Sequence, residues 1–94
     1  MSESGLPPEF KVLSRLVDAQ EPNMRELYQY ALALLMVEDH KAEITEKRTV
    51  SMREHISFRT VAGGTFTLVK PDIRDELLAQ MQEMVREALE EERE

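Results

Sequence analysis

The chain has 94 residues, with 12 Lys and Arg against 19 Asp and Glu, a net charge of −7, 41% hydrophobic and 33% charged residues. That is enough for one small domain, and too apolar for a disordered chain. With no Cys, disulfide scaffolds, zinc-thiolate modules and thiol nucleophiles are excluded.

The segment Met1-Ser2-Glu3-Ser4-Gly5 is polar and acidic, without the basic and apolar regions of a secretory signal. The longest apolar run, Ala31 to Val37, is seven residues, against the ~20 a membrane span needs. The expected location is the cytoplasm. Residues 1–6 read as a loose tail. Pro7-Pro8-Glu9 then opens a first helix, since Pro is tolerated where a helix has no use for its N–H. Phe10, Leu13, Leu16 and Val17 share one face, and Pro22 ends this helix near Gln20.

Asn23 reads as the cap of a second helix, with Glu26 at capping-box spacing. Met24, Leu27, Tyr28, Ala31, Leu34 and Leu35 form its main stripe. From Tyr30 to Val37 the helix is apolar on every side, which means burial on every side. One thin domain offers few layers for that, so a partner subunit is expected to add cover. The helix ends near Glu38-Asp39-His40.

Between Lys41 and Lys70 the period drops to two. Val50, Met52, Ile56 and Phe58 alternate with Thr49, Ser51, Arg53, His55, Ser57 and Arg59, and Glu54 interrupts the apolar side as a bulge, a bend or an edge between two strands. Gly63-Gly64 marks a turn before a strand over 65–69. A three-residue loop, Gly63-Gly64-Thr65, keeps the faces consistent by pairing Ala62 with Phe66, Thr60 with Leu68 and Phe58 with Lys70. Asp72 is the expected cap of a third helix, with Asp75 and Glu76 in its first turn. Leu77, Met81, Met84 and Ala88 recur at coiled-coil-like spacing, widened by Leu78 and Val85, and form the candidate interface. Glu90 to Glu94 oppose the helix dipole, so this end is expected to fray and its deletion to cost almost nothing. The fold class is therefore α+β: two N-terminal helices, a small antiparallel sheet or hairpin over about residues 42–70, and a long C-terminal helix. Residues 7–94 make one domain.

Charge is unevenly laid out. Residues 1–39 hold three basic and seven acidic side chains, net −4; residues 40–71 hold six and three, net +3; residues 72–94 hold three and nine, net −6. The candidate basic face is Lys47, Arg48, Arg53 and Arg59, which serves either an anionic partner or simple solvation of a strand whose charges deter edge pairing.

Chemistry is sparse. His40 sits at a helix end, where a positive charge suits the dipole. Glu38, Asp39, His40 and Glu43 match no metal-specific spacing, and His55 and Glu54 point to opposite strand faces. There is no nucleophile elbow, phosphate loop or dinucleotide fingerprint. No catalytic residue, metal or cofactor is expected, and no enzyme, short of a cleft built between subunits. The function expected is a cytoplasmic protein-protein interaction module: a homodimeric accessory or regulatory subunit. The alternative is a winged-helix-like DNA-binding regulator with the basic hairpin as its wing. Against it stand the net charge and a strand pattern over 41–55 where a recognition helix is needed; nucleic acid is disfavoured but not eliminated.

Overall fold

The computed structural model describes residues 7–17 and 24–93. The N-terminal tail, the end of the first helix near Gln20 and the Asn23 cap lie outside them. A 3-10 helix, Pro8–Val12, runs into α1, Leu13–Val17. Then follow α2 (Met24–Glu38), β1 (Ala42–Val50), β2 (Arg53–Thr60), β3 (Thr65–Val69) and α3 (Asp75–Arg93). This is the α+β order expected. Among the described residues, no helix is long and apolar enough to cross a membrane.

α2 is the middle of the molecule. Tyr28, Tyr30, Ala31, Leu32, Ala33, Leu35 and Met36 are all buried. β1 and β3 cover one side; α1 and α3 cover others. α3 also packs on the 3-10 helix, whose Phe10 meets Phe66 of β3 edge-on at 5.4 Å. The chain therefore covers its all-round apolar helix with its own elements, and the partner expected for that purpose is not required.

α2 ends in a Schellman motif. The Lys41 N–H donates to the Met36 carbonyl at 2.7 Å and the His40 N–H to that of Val37 at 3.1 Å. His40 takes the left-handed conformation usually given to glycine, φ 62°. Its role at the helix end is set by backbone geometry, beyond the favourable charge expected of it.

The sheet has the order β1-β2-β3, antiparallel throughout. Two features of its register differ from expectation. First, the β2–β3 loop is Val61-Ala62-Gly63, not Gly63-Gly64-Thr65. The Gly63 N–H donates to the Thr60 carbonyl at 2.9 Å, and Thr60 N–H to that of Gly64 at 2.8 Å. Gly63 supplies φ +105° at the last loop position, where a Cβ would meet no atom but would be strained. Thr60, buried, accepts the Gly64 N–H on its Oγ1 at 3.2 Å. The pairs are thus Phe58 with Phe66 and Ile56 with Leu68. The register slips by four residues, an even number, so the paired side chains keep their expected face, while Ala62 lies exposed in the loop.

Second, residues 42–60 form two strands, one of the alternatives Glu54 raised, but they divide at Ser51-Met52 and not at Glu54. Val50 pairs with Arg53 around a two-residue turn, Ser51-Met52, with φ 52° and 66°. Positive φ at both central residues is the type I′ signature, which suits strand twist but normally calls for Asn-Gly. Met52 is therefore at a hairpin tip, not on the apolar face. The bulge lies between Ile44 and Glu46, not at Glu54, and Thr45 donates there to the Ser57 carbonyl at 3.4 Å.

Opposed residues share a face. Ile56, Phe58, Phe66 and Leu68 look toward α2, and Phe58 stacks on Phe66 at 5.1 Å. The other face, with Arg48, His55, Ser57, Thr67 and Arg59, is open and polar. α3 begins at Asp75, so Asp72 lies three residues outside it, while Asp75 and Glu76 occupy the first turn as expected.

Candidate functional site

The expected interface does not lie together on the surface. Met81 (3% exposed) and Ala88 (7%) belong to the protein's own core, with Val85 between them. Leu77 (45%) and Met84 (41%) lie on the flank of that stripe and stay open. The stripe was broad enough in sequence to admit either assignment, and the seating of α3 on α2 chooses. Met84 is held by a local contact: the buried Tyr28 hydroxyl donates to its Sδ at 3.6 Å. α3 persists through Arg93, and Glu91 and Glu92 lie 3.7 and 3.3 Å from Arg15 of α1. The fraying expected from Glu90 onward is thus opposed by a docked end, which answers α1, not the strands.

The four basic residues sit on the β1–β2 hairpin. Arg48, Arg53 and Arg59 point from the open face. Lys47 opposes Ile56 on the core-side face, yet it is exposed because β1 overhangs the helices; Ala42 is its one buried residue of nine. Three of the four meet carboxylates: Arg48 with Glu46 at 3.7 Å, Arg53 with Glu26 at 4.0 Å, and Arg59 with Glu43. β1 and α2 supply these partners. The acidic α3 does not. Such exposed pairs are weak, about 0–1 kcal/mol each, so they leave the guanidiniums available to a stronger partner.

The polar cluster at the α2 end is dispersed. Glu38 reaches Arg86 at 3.5 Å and Gln82 at 3.5 Å, while Glu43 turns to Arg59. Among the described residues no three His, Asp or Glu side chains form a metal-binding group. A cleft of about 450 Å³ opens between the 3-10 helix, the end of α2 and the last turns of α3, with Leu35, Met36 and Leu89 below and Lys41, Arg86 and Glu90 at its rim. Nothing there sets a base beside a nucleophile. Among the described residues Tyr30 has a displaced titration. Burial pushes its hydroxyl above the ordinary tyrosine range, Lys70 pulls it down and Glu54 pushes it up. Lys70 and Glu54 pair at 3.8 Å.

Sequence reasoning missed the most exposed large apolar residue among the described ones. Met52, 95% exposed, stands at the tip of the hairpin with Val50 and Ile44 also open on β1. Ser-Met carries no turn signal, so only the unbroken alternation was visible. The signal available was a negative one: Glu54 on an apolar face argued for a break nearby.

A scan against protein-family models found no match to this chain, and neither did searches of the curated proteins and of solved structures.

Proposed function

We propose that this protein is a small protein-protein interaction module acting as a homodimeric accessory or regulatory subunit. The observation that carries this is β1: a nine-residue strand with eight exposed residues, supported by backbone pairing to β2 and by little of the core. A strand of this kind, ending in an exposed Met52, is a surface suited to contact. Leu77 and Met84 add a second open apolar spot. The all-round apolar α2 no longer argues for a partner; the exposed hairpin does. A cytoplasmic location belongs to the proposal on the absence of Cys alone. The winged-helix alternative loses support, because residues 41–55 lie in β1, its turn and the start of β2, leaving no helix there to enter a groove. Sedimentation equilibrium at micromolar concentration tests the proposal. The expected mass is twice the 10.9 kDa of one chain, and a clean monomer overturns it.

A further inference from the structure

We infer that the two subunits meet reciprocally, the β1–β2 hairpin tip of each against the exposed flank of α3 of the other. This rests on the homodimer proposed above and names its contact.

Among the described residues the exposed large hydrophobics, apart from Val61, fall into two groups: Val50 and Met52 at the hairpin tip with Ile44 further down β1, and Leu77 and Met84 on α3. The two groups carry opposite charge around them. Arg53 adjoins the tip, and Lys47 and Arg48 lie a few residues back along β1, with Glu46 and Glu54 among them. On α3, Leu77 and Met84 are seven residues apart and share one face, and the neighbouring exposed row is Glu76, Gln80, Glu83 and Glu87 at spacings of four, three and four. An apolar tip on a hairpin with an excess of cations thus matches an apolar spot bordered by carboxylates. In the surrounding segments the imbalance is the same, net +3 against net −6.

The hairpin tip and Met84 each have a contact near the first turns of α2, although Gln82 and Arg86 beside Met84 also reach Glu38 at its far end. Arg53 reaches Glu26 in the first turn of α2. Met84 accepts from Tyr28, two residues further along. A two-fold axis beside this end brings each hairpin to the other subunit's α3, and such an isologous contact closes at two copies. The local pairs Arg53–Glu26 and Glu83–Arg86 are exposed and exchangeable.

The obvious rival is pairing of β1 with β1 into one continuous sheet. A two-fold pairing that keeps inward and outward faces matched must centre on a residue. Whichever of Glu46, Lys47 or Arg48 stands at the centre then faces its own charge across the axis, which is destabilising, although a Lys47 centre also sets Glu46 opposite Arg48. The bulge at Thr45 and the inward Lys47 further blunt this edge.

The test uses the full chain and two charge-reversed variants, Arg48→Glu with Arg53→Glu on the hairpin, and Glu83→Lys with Glu87→Lys on α3. Circular-dichroism melts first establish that each folds. Sedimentation then reads the dimer constant. Each variant alone is expected to dimerise at least about tenfold more weakly, since like charges now face each other. An equimolar mixture, with one variant carrying a mass tag, is expected to regain wild-type affinity as a heterodimer, because both reciprocal contacts are again complementary. Folded variants that dimerise like wild type overturn the contact but leave the homodimer standing. Weakened variants whose mixture is not rescued also overturn it. A monomeric wild type removes both.

Discussion

Among the described residues three that bear a Cβ, His40, Ser51 and Met52, hold positive φ, at a cost of about 1–2 kcal/mol each. At His40 the constraint is the Schellman cap, and its side chain is exposed. His40→Gly is therefore expected to stabilise the fold by about 1 kcal/mol, read as a higher urea midpoint at unchanged slope. Met52→Gly relaxes the tip of the hairpin by a similar amount, about 1 kcal/mol. Unlike His40→Gly, it removes the apolar side chain at the proposed contact, so thermal stability of the monomer should rise while dimerisation weakens. Should both rise together, Met52 lies outside the contact. Tyr30 gives a pH signature. Its folded-state value is raised, first by burial, so folding favours the neutral hydroxyl. That contribution is complete below the ordinary tyrosine value and is lost as pH rises from there through the raised value. Tyr30→Phe should accordingly remove part of the alkaline fall in stability, measured by urea denaturation from pH 8 upward.

At the scale of elements, α3 carries the sharpest contrast. Met81→Lys places a charge in the core between α3 and α2, and the whole domain should melt about 10 °C or more lower. It unfolds the subunit instead of merely separating subunits, because Met81 is an internal contact. Leu77→Ala, had Leu77 been fully buried, would cost roughly 2–5 kcal/mol. At its observed exposure the expected loss is under about 1 kcal/mol, with the effect falling on dimerisation instead. Truncation after Leu89 removes the carboxylates facing Arg15 and should cost about 1 kcal/mol, small but above zero. In the sheet, Phe58 is fully buried and stacked on Phe66. Phe58→Ala should cost about 3–5 kcal/mol in the same melts.

For the molecule as a whole, α2 lies between a sheet and a helical layer. Its complete burial is what makes a 15-residue helix with so little polar surface tolerable in one small chain. The sheet's other face has no such cover and stays polar, with Ser57 and Thr67 hydroxyls joined at 3.0 Å. The acidic α3 and basic hairpin are not neutralised by each other within the chain; the cations meet Glu26, Glu43 and Glu46 instead. If the dimer joins them between chains, its affinity should fall as salt is raised from about 0.05 M to 0.5 M, since the screening length shrinks below the size of the contact. Sedimentation across that range checks it, and a salt-independent dimer would mean the charged borders do not meet.

Much of this was determined by local pattern alone. The 3.6 period of α2 and α3, the alternation from Glu54 to Phe58, and the opposite charge of strands and last helix are properties of neighbouring residues. They require no knowledge of what lies across the core. The positions that escaped depend on distant partners. Leu77, Met81, Met84, Val85 and Ala88 form one broad stripe, and only the rotation of α3 against α2 selects Met81, Val85 and Ala88 for burial. Gly63 and Gly64 are equally able to take positive φ; stacking of Phe58 on Phe66 goes with the choice of Gly63. Ser51-Met52 turns without any turn-forming residue, because strand pairing on both sides forces the backbone through it. And an all-round apolar helix states only that it must be covered. Whether its own chain or a second one does so is decided by how the 3-10 helix, α1, α3 and the sheet close around it, a long-range arrangement that no window of sequence contains.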